Sequence, residues 1–144
     1  MTESRLFAYG TLMFPEVRSA LIGDAPTAEP VRLAGYGRHT VRHPDWLPFP
    51  ALLAQDGEMV DGLLISALEP AARDTLDRFE NVESGLYQKI VVTVDGFAGR
   101  STTAVTYVAG DVLRPHLSGP WDPEQFRRDQ LAHFMERVFG RSCI

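Results

Sequence analysis

Leu6-Phe7-Ala8-Tyr9 is a short unbroken apolar run that stops at Gly10, the pattern of a buried strand. Pro15 then opens a short helix over Glu16 to Leu21, and Gly23 closes it. Val31 to Val41 reads as a strand in which Gly35 and Gly37 mark a bulge or sharp bend. His43 to Pro50 holds three prolines and is expected to be a loop, its aromatic residues packed over something apolar. Ala51 to Gln55 and Met59 to Ala67 flank Asp56-Gly57, a hairpin signal.

Pro70 starts a helix running to about Phe79. On it Ala72, Leu76 and Phe79 share an apolar face, while Asp74, Asp77 and Arg78 are expected to point towards water. Leu86 to Val94 and Ser101 to Val108 form a second hairpin around Asp95-Gly96. A last helix has Asp122 as N-cap, Pro123 at its first position and Gln125 near the capping-box position. It runs to about Phe139, Gly140 ends it, and Trp121 with Phe126 anchors it on the core. The order β-α-β-β-β-α-β-β-α is not the alternation of a doubly wound parallel sheet. It predicts an α+β fold, mixed and mostly antiparallel, curled into a small barrel with helices packed outside.

Composition adds limits. The 144 residues are the size of one domain, taken here as 1–144, and 44% hydrophobic with 23% charged residues is ordinary for a globular chain. The net charge is −5 and the 13 arginines are scattered, with only Arg127-Arg128 adjacent, so no nucleic-acid face is expected. The apolar stretch at Leu6–Tyr9 is too short for a signal peptide or a span, so no membrane partner and a cytoplasmic location are expected. Cys143 is the single cysteine, read as a terminal thiol without a role.

Three segments could carry chemistry. Tyr9-Gly10-Thr11-Leu12-Met13 is a turn after a buried strand, where glycine lets a ligand approach the backbone and successive N–H groups can cradle an anion. Alone it also reads as a plain strand-to-helix turn. Glu80 lies one turn beyond Leu76, at the edge of the apolar face, where partial burial would raise its pKa towards that of a general base. A glutamate at a helix end is more commonly solvated; Asp77 is the competing acid, on the wrong side of the wheel. Tyr87 either lends its hydroxyl to a site or packs its ring in the core. His39 and His43 share no helical face and His116 and His133 are isolated, so no metal site is expected. No nucleophile elbow, phosphate loop or dinucleotide glycine pattern occurs.

Together, the Tyr9-Gly10-Thr11-Leu12 turn, the Leu76-Asp77-Arg78-Phe79-Glu80 helix end followed by Tyr87-Gln88-Lys89, and the Trp121-Asp122-Pro123 helix start with Phe126 form a pattern covering nearly the whole chain. It resembles the γ-glutamylcyclotransferase-like superfamily, in particular its avirulence-induced-gene-like and γ-glutamylamine cyclotransferase branches. The resemblance implies a small β-barrel flanked by helices, with a pocket at one barrel end. It implies that the backbone of Tyr9, Gly10, Thr11 and Leu12 binds the γ-glutamyl group, that Glu80 is the acid/base and that Tyr87 lines the substrate. Asn81, where the family often has glycine, and the segment Val82 to Leu86 depart from the pattern.

The implied activity is cyclisation of a small γ-glutamyl amine or amino acid to 5-oxoproline with release of the amine. It needs no cofactor and no metal. The expected partner is a small γ-glutamyl molecule, and the expected state is a monomer or weak homodimer. The alternative is a non-catalytic small-molecule-binding module with the same fold and pocket.

Overall fold

The computed structural model describes residues 2–24, 26–44, 46–79, 85–96 and 99–139. The strands are β1 (Leu6–Ala8), β2 (Thr27–His43), β3 (Trp46–Ser66), β4 (Tyr87–Gly96), β5 (Ser101–Ala109) and β6 (Leu117–Pro120). The α-helices are α1 (Pro15–Ile22), between β1 and β2, α2 (Pro70–Phe79), between β3 and β4, and α3 (Pro123–Asp129) with α4 (Leu131–Phe139) at the end. Strand β1 pairs with β3, β3 with β2, β2 with β4 and β4 with β5, all antiparallel. Strand β5 returns beside β1 in parallel, Leu6 against Val105, and this closes the ring. Strand β6 adds to the far half of β2, outside the ring. The fold is therefore the mixed, mostly antiparallel α+β barrel with helices that the hydrophobic pattern predicts.

Period-2 alternation divides the buried side chains into two layers. Phe7, Leu52, Leu64, Val94, Ala104 and Val108 belong to a cluster drawn from strands, joined by Tyr9, which fills the barrel. Leu6, Ala8, Ala51, Ile65, Val105 and Tyr107 point the other way, against Val17, Leu76, Phe126, Leu131 and Phe134 of the helices. Strand β1 is buried on both faces, which is why its sequence is continuously apolar. The predicted face of α2 is real: Leu76 is buried, and Ala72 and Phe79 pack against the same layer. Truncating a side chain placed like Leu76 costs about 2–5 kcal/mol.

Three sequence expectations about these elements need correction, and one strand has no counterpart in the sequence pattern. Asp56-Gly57 is not a hairpin turn. Strand β3 runs unbroken from Trp46 to Ser66, and both of its halves pair with β2. Gln55 to Glu58 stand opposite Gly35, between the pairs Ala34 with Met59 and Tyr36 with Ala54. Gly35 and Gly57 have φ of 85° and 83°, so the dipeptide supplies left-handed backbone to a bulge that bends the long hairpin.

The proline-rich segment His43 to Pro50 is not a loop throughout: His43 pairs with Trp46, Val41 with Phe49 and Thr40 with Pro50. Pro48 and Pro50 are two residues apart, so both missing donors fall on one edge of the strand and the other edge keeps its ladder. The last helix is broken at Gln130 (φ −131°) into α3 and α4, although the Asp122 carboxylate caps it as expected by accepting from the Glu124 N–H at 3.0 Å. The short strand β6, with Gly119 and Pro120, has no sequence signal of its own. Gly140 and Cys143 lie outside the described residues. No helix among those described is long and apolar enough to cross a membrane.

Candidate active site

The chain leaves the barrel at the end of β1, and Tyr9 keeps it anchored there. Its ring is buried in the barrel layer, and its hydroxyl donates to the Tyr107 carbonyl of β5 at 2.5 Å. Gly10 follows and leads into a single 3₁₀ turn, Thr11–Met13, which hands over to α1. Thr11 and Leu12 are buried, Leu12 in the layer beneath the helices together with Leu76 and Tyr87. That layer brings three of the sequence segments together: the turn, the apolar face of α2 and the first residue of β4.

The hydrogen bonding of this turn is one-sided. The Tyr9 carbonyl accepts from Arg38 Nη1 at 2.9 Å. The Gly10 and Thr11 carbonyls accept from the N–H groups of Met13 and Phe14 at 3.0 and 3.1 Å. The Leu12 and Met13 carbonyls accept from Arg18 Nη1 at 3.1 and 2.8 Å. All the acceptors from Tyr9 to Met13 are thus taken. Among the described residues, the N–H groups of Gly10, Thr11 and Leu12 enter no backbone hydrogen bond. A turn with its carbonyls satisfied and consecutive donors left over is suited to an anion or a developing oxyanion.

Pro50 backs this turn. A Cβ on Gly10 would stand 2.6 Å from Pro50 Cγ, so only glycine fits without displacing one or the other. The Pro50 carbonyl accepts from the Tyr87 hydroxyl at 2.6 Å. Tyr87 is buried, with its ring 6.3 Å from that of Phe49. The ring is therefore in the core, and the hydroxyl donates to the strand behind the turn.

Asp77 departs from the helix-wheel expectation of a water-facing carboxylate. It accepts from the Tyr107 hydroxyl at 2.7 Å and from Lys89 Nζ at 3.1 Å, and so ties α2 to β5 and β4. Tyr107 accordingly holds β1 through its carbonyl and α2 through its hydroxyl. Glu80 and Asn81 lie outside the described residues.

The histidines are placed as follows. His39 Nε2 is 3.0 Å from Gln55 Oε1. His116 is not isolated: the 3₁₀ turn before β6 sets its ring edge-on to His43, with centroids 4.9 Å apart. A surface depression of about 260 Å³ beside that pair is lined by Arg42, His43, Pro44 and Pro48 and shares no residue with the turn. No cluster of metal-ligating side chains is found among the described residues.

Arg38, Pro50 and Tyr107 are the contributors that sequence reading does not find. Each acts through a backbone carbonyl or a ring edge, and nothing in the residue pattern distinguishes Arg38 from the other arginines.

Residues 6–123 match the model of the family described as gamma-glutamyl cyclotransferase, AIG2-like. Protein AIG2 C of Arabidopsis thaliana is 27% identical over 132 residues, which is 91% of this chain and 76% of the relative. A solved gamma-glutamyl cyclotransferase superposes with a TM-score of 0.69 at 17% identity, covering 94% of this chain and 86% of that one. A solution structure from Arabidopsis thaliana gives 0.67 at 20% identity, covering 95% and 89%. At these identities the two structures carry the fold alone.

Proposed function

The chain belongs to the gamma-glutamyl cyclotransferase, AIG2-like family, and on that premise we propose that it converts a small γ-glutamyl amine or amino acid into 5-oxoproline and a free amine. In this reading the substrate's α-amine attacks its own γ-carbonyl carbon. A C–N bond forms, the bond to the leaving nitrogen breaks, and a five-membered lactam remains. Because the reaction is intramolecular, positioning supplies much of the acceleration. The α-ammonium must give up a proton and the leaving nitrogen must gain one. Glu80, the residue after the last one of α2, is assigned both transfers in turn.

The observation that carries the reading is the one-sided hydrogen bonding of Tyr9 to Leu12. Three consecutive donors without backbone partners among the described residues offer a place for the substrate's carboxylate or for the oxyanion of the tetrahedral intermediate. The missing Cβ of Gly10 lets Pro50 pack directly against the turn, and the Tyr87 hydroxyl holds the Pro50 carbonyl there. Neither transfer in this scheme calls for a metal or an organic cofactor.

The test is incubation of the protein with a panel of γ-glutamyl amines and γ-glutamyl amino acids, with 5-oxoproline and the free amine both quantified. Equimolar release of the two from at least one compound is expected. Saturable binding of panel members without release would leave a binding module on the same fold. Release of glutamate in place of 5-oxoproline would make the protein a hydrolase.

A further inference from the structure

Arg38 is the one charged side chain that reaches the Tyr9–Gly10 peptide among the described residues, and the mechanism above does not use it. It stands on β2 opposite Leu52, and its Nη1 donates to the carbonyls of Tyr9 at 2.9 Å and of Asp61 at 3.3 Å. Its guanidinium lies 5.5 Å from the centre of the buried Trp121 ring. Its Nε is buried without a hydrogen-bond partner among the described residues. Burial lowers its pKa against the opposing pull of Asp61 and Asp122, and a guanidinium stays charged in proteins. A partly desolvated cation with an unpaired donor is a cost to folding. Such a cost is often found where a charge serves a site.

The Tyr9 carbonyl and the Gly10 N–H are two ends of one peptide unit. A cation on the oxygen polarises that unit, strengthens its N–H as a donor and fixes its plane. Arg18 makes an instructive contrast. It binds the Leu12 and Met13 carbonyls, whose peptide units carry the Met13 and Phe14 N–H groups, and both of those are already used inside the turn. The peptide unit that Arg38 holds, by contrast, carries one of the three N–H groups without a backbone partner among the described residues.

We propose that Arg38 is a positioning and specificity residue that acts through the Tyr9–Gly10 peptide on the α-carboxylate of the ligand, so that the site selects γ-glutamyl compounds whose α-carboxylate is free. This rests on the reading of the turn as the γ-glutamyl site. Cyclisation itself does not require a free α-carboxylate. The requirement comes from the turn, and Arg38 sets its strength.

The experiment follows the Gly10 amide resonance by ¹H–¹⁵N NMR while 5-oxoproline, or 2-pyrrolidinone as its analogue lacking the carboxylate, is titrated. Wild type, Arg38→Met and Arg38→Lys are compared, each first checked for cooperative thermal unfolding. In wild type, 5-oxoproline should shift the Gly10 amide and 2-pyrrolidinone should bind far more weakly. Arg38→Met should weaken 5-oxoproline by about tenfold, the loss expected when the hydrogen bond from the Gly10 N–H to the carboxylate is misaligned. It should leave 2-pyrrolidinone unchanged, and Arg38→Lys should recover part of the loss. Equal weakening of both ligands, or no recovery with lysine, would overturn the inference, as would a Gly10 amide indifferent to 5-oxoproline in wild type. If the Gly10 response and its Arg38 dependence are present but no γ-glutamyl compound is turned over, the inference stands and the cyclotransferase reading falls. Should Arg38→Met fail to unfold cooperatively, Arg38→Lys decides alone: a loss confined to the carboxylate ligand supports the inference and an equal loss on both overturns it.

Discussion

Gly10 and Pro50 are in such close contact that a Cβ on the first would come within 2.6 Å of Cγ of the second. The proline ring cannot swing away as a long side chain would. Gly10→Ala must therefore move the turn or the strand, at a cost of about 1–3 kcal/mol, the range for overpacking. Chemical denaturation should show that loss. In a Pro50→Ala background the same change should cost distinctly less, because the two residues share one contact. Additive effects would mean that the contact does not limit position 10.

Tyr87→Phe removes the donor to the carbonyl of the buried Pro50. We expect a stability loss of about 1–3 kcal/mol. A midpoint unchanged within error would show that the hydroxyl is not what fixes Pro50.

The pairing of Asp61 with Arg32 should appear in acid. Arg32 Nε donates to the Asp61 carboxylate at 2.7 Å and, as the largest cause, holds its pKa below the ordinary value of 3.8. A depressed folded-state pKa contributes stability that is complete above the unfolded value and is lost as the pH falls through the folded one. The contribution should thus fade from about pH 4 downward, and it is small because the pair is exposed. Urea midpoints measured from pH 6 to pH 3 should fall less steeply for Asp61→Asn than for wild type. Parallel slopes would contradict the assignment.

The architecture was legible where a periodic pattern met a buried face. The continuous run at β1, the Leu76 face of α2 and the Asp122 cap all formed as read. What misled was local chemistry with two uses. Asp56-Gly57 supplies left-handed backbone equally to a turn or a bulge, and only the partner strand decides between them. Prolines two apart look like a loop but spare one edge of β3. In the candidate site, Tyr9 to Leu12 and Tyr87 stand out in the sequence as motif residues, and their part in binding belongs to the proposal. The pull of Arg38 on the Tyr9 carbonyl and the two-ended role of Tyr107 do not stand out. Those contacts join residues far apart in sequence through backbone atoms, which leave no trace in residue type.

The proposed reaction moves protons between a carboxylate and the substrate's own nitrogens. Turnover should therefore survive dialysis against a chelator, and metal analysis of the active protein should find well under one equivalent. Activity lost on chelation and restored by a divalent ion would remove the mechanism.

The central claim is that a single carboxylate, Glu80, carries both proton transfers. The direct measurement is the rate of 5-oxoproline formation from a confirmed substrate by Glu80→Gln, alongside Asp77→Asn. Asp77 already serves Tyr107 and Lys89, so its amide should keep turnover within a few-fold of wild type. Glu80→Gln keeps the shape and loses the proton acceptor, and the rate should fall by about 10²–10⁴-fold, the usual contribution of general acid–base catalysis. Wild-type turnover by Glu80→Gln, with the large loss appearing in Asp77→Asn, would contradict the account.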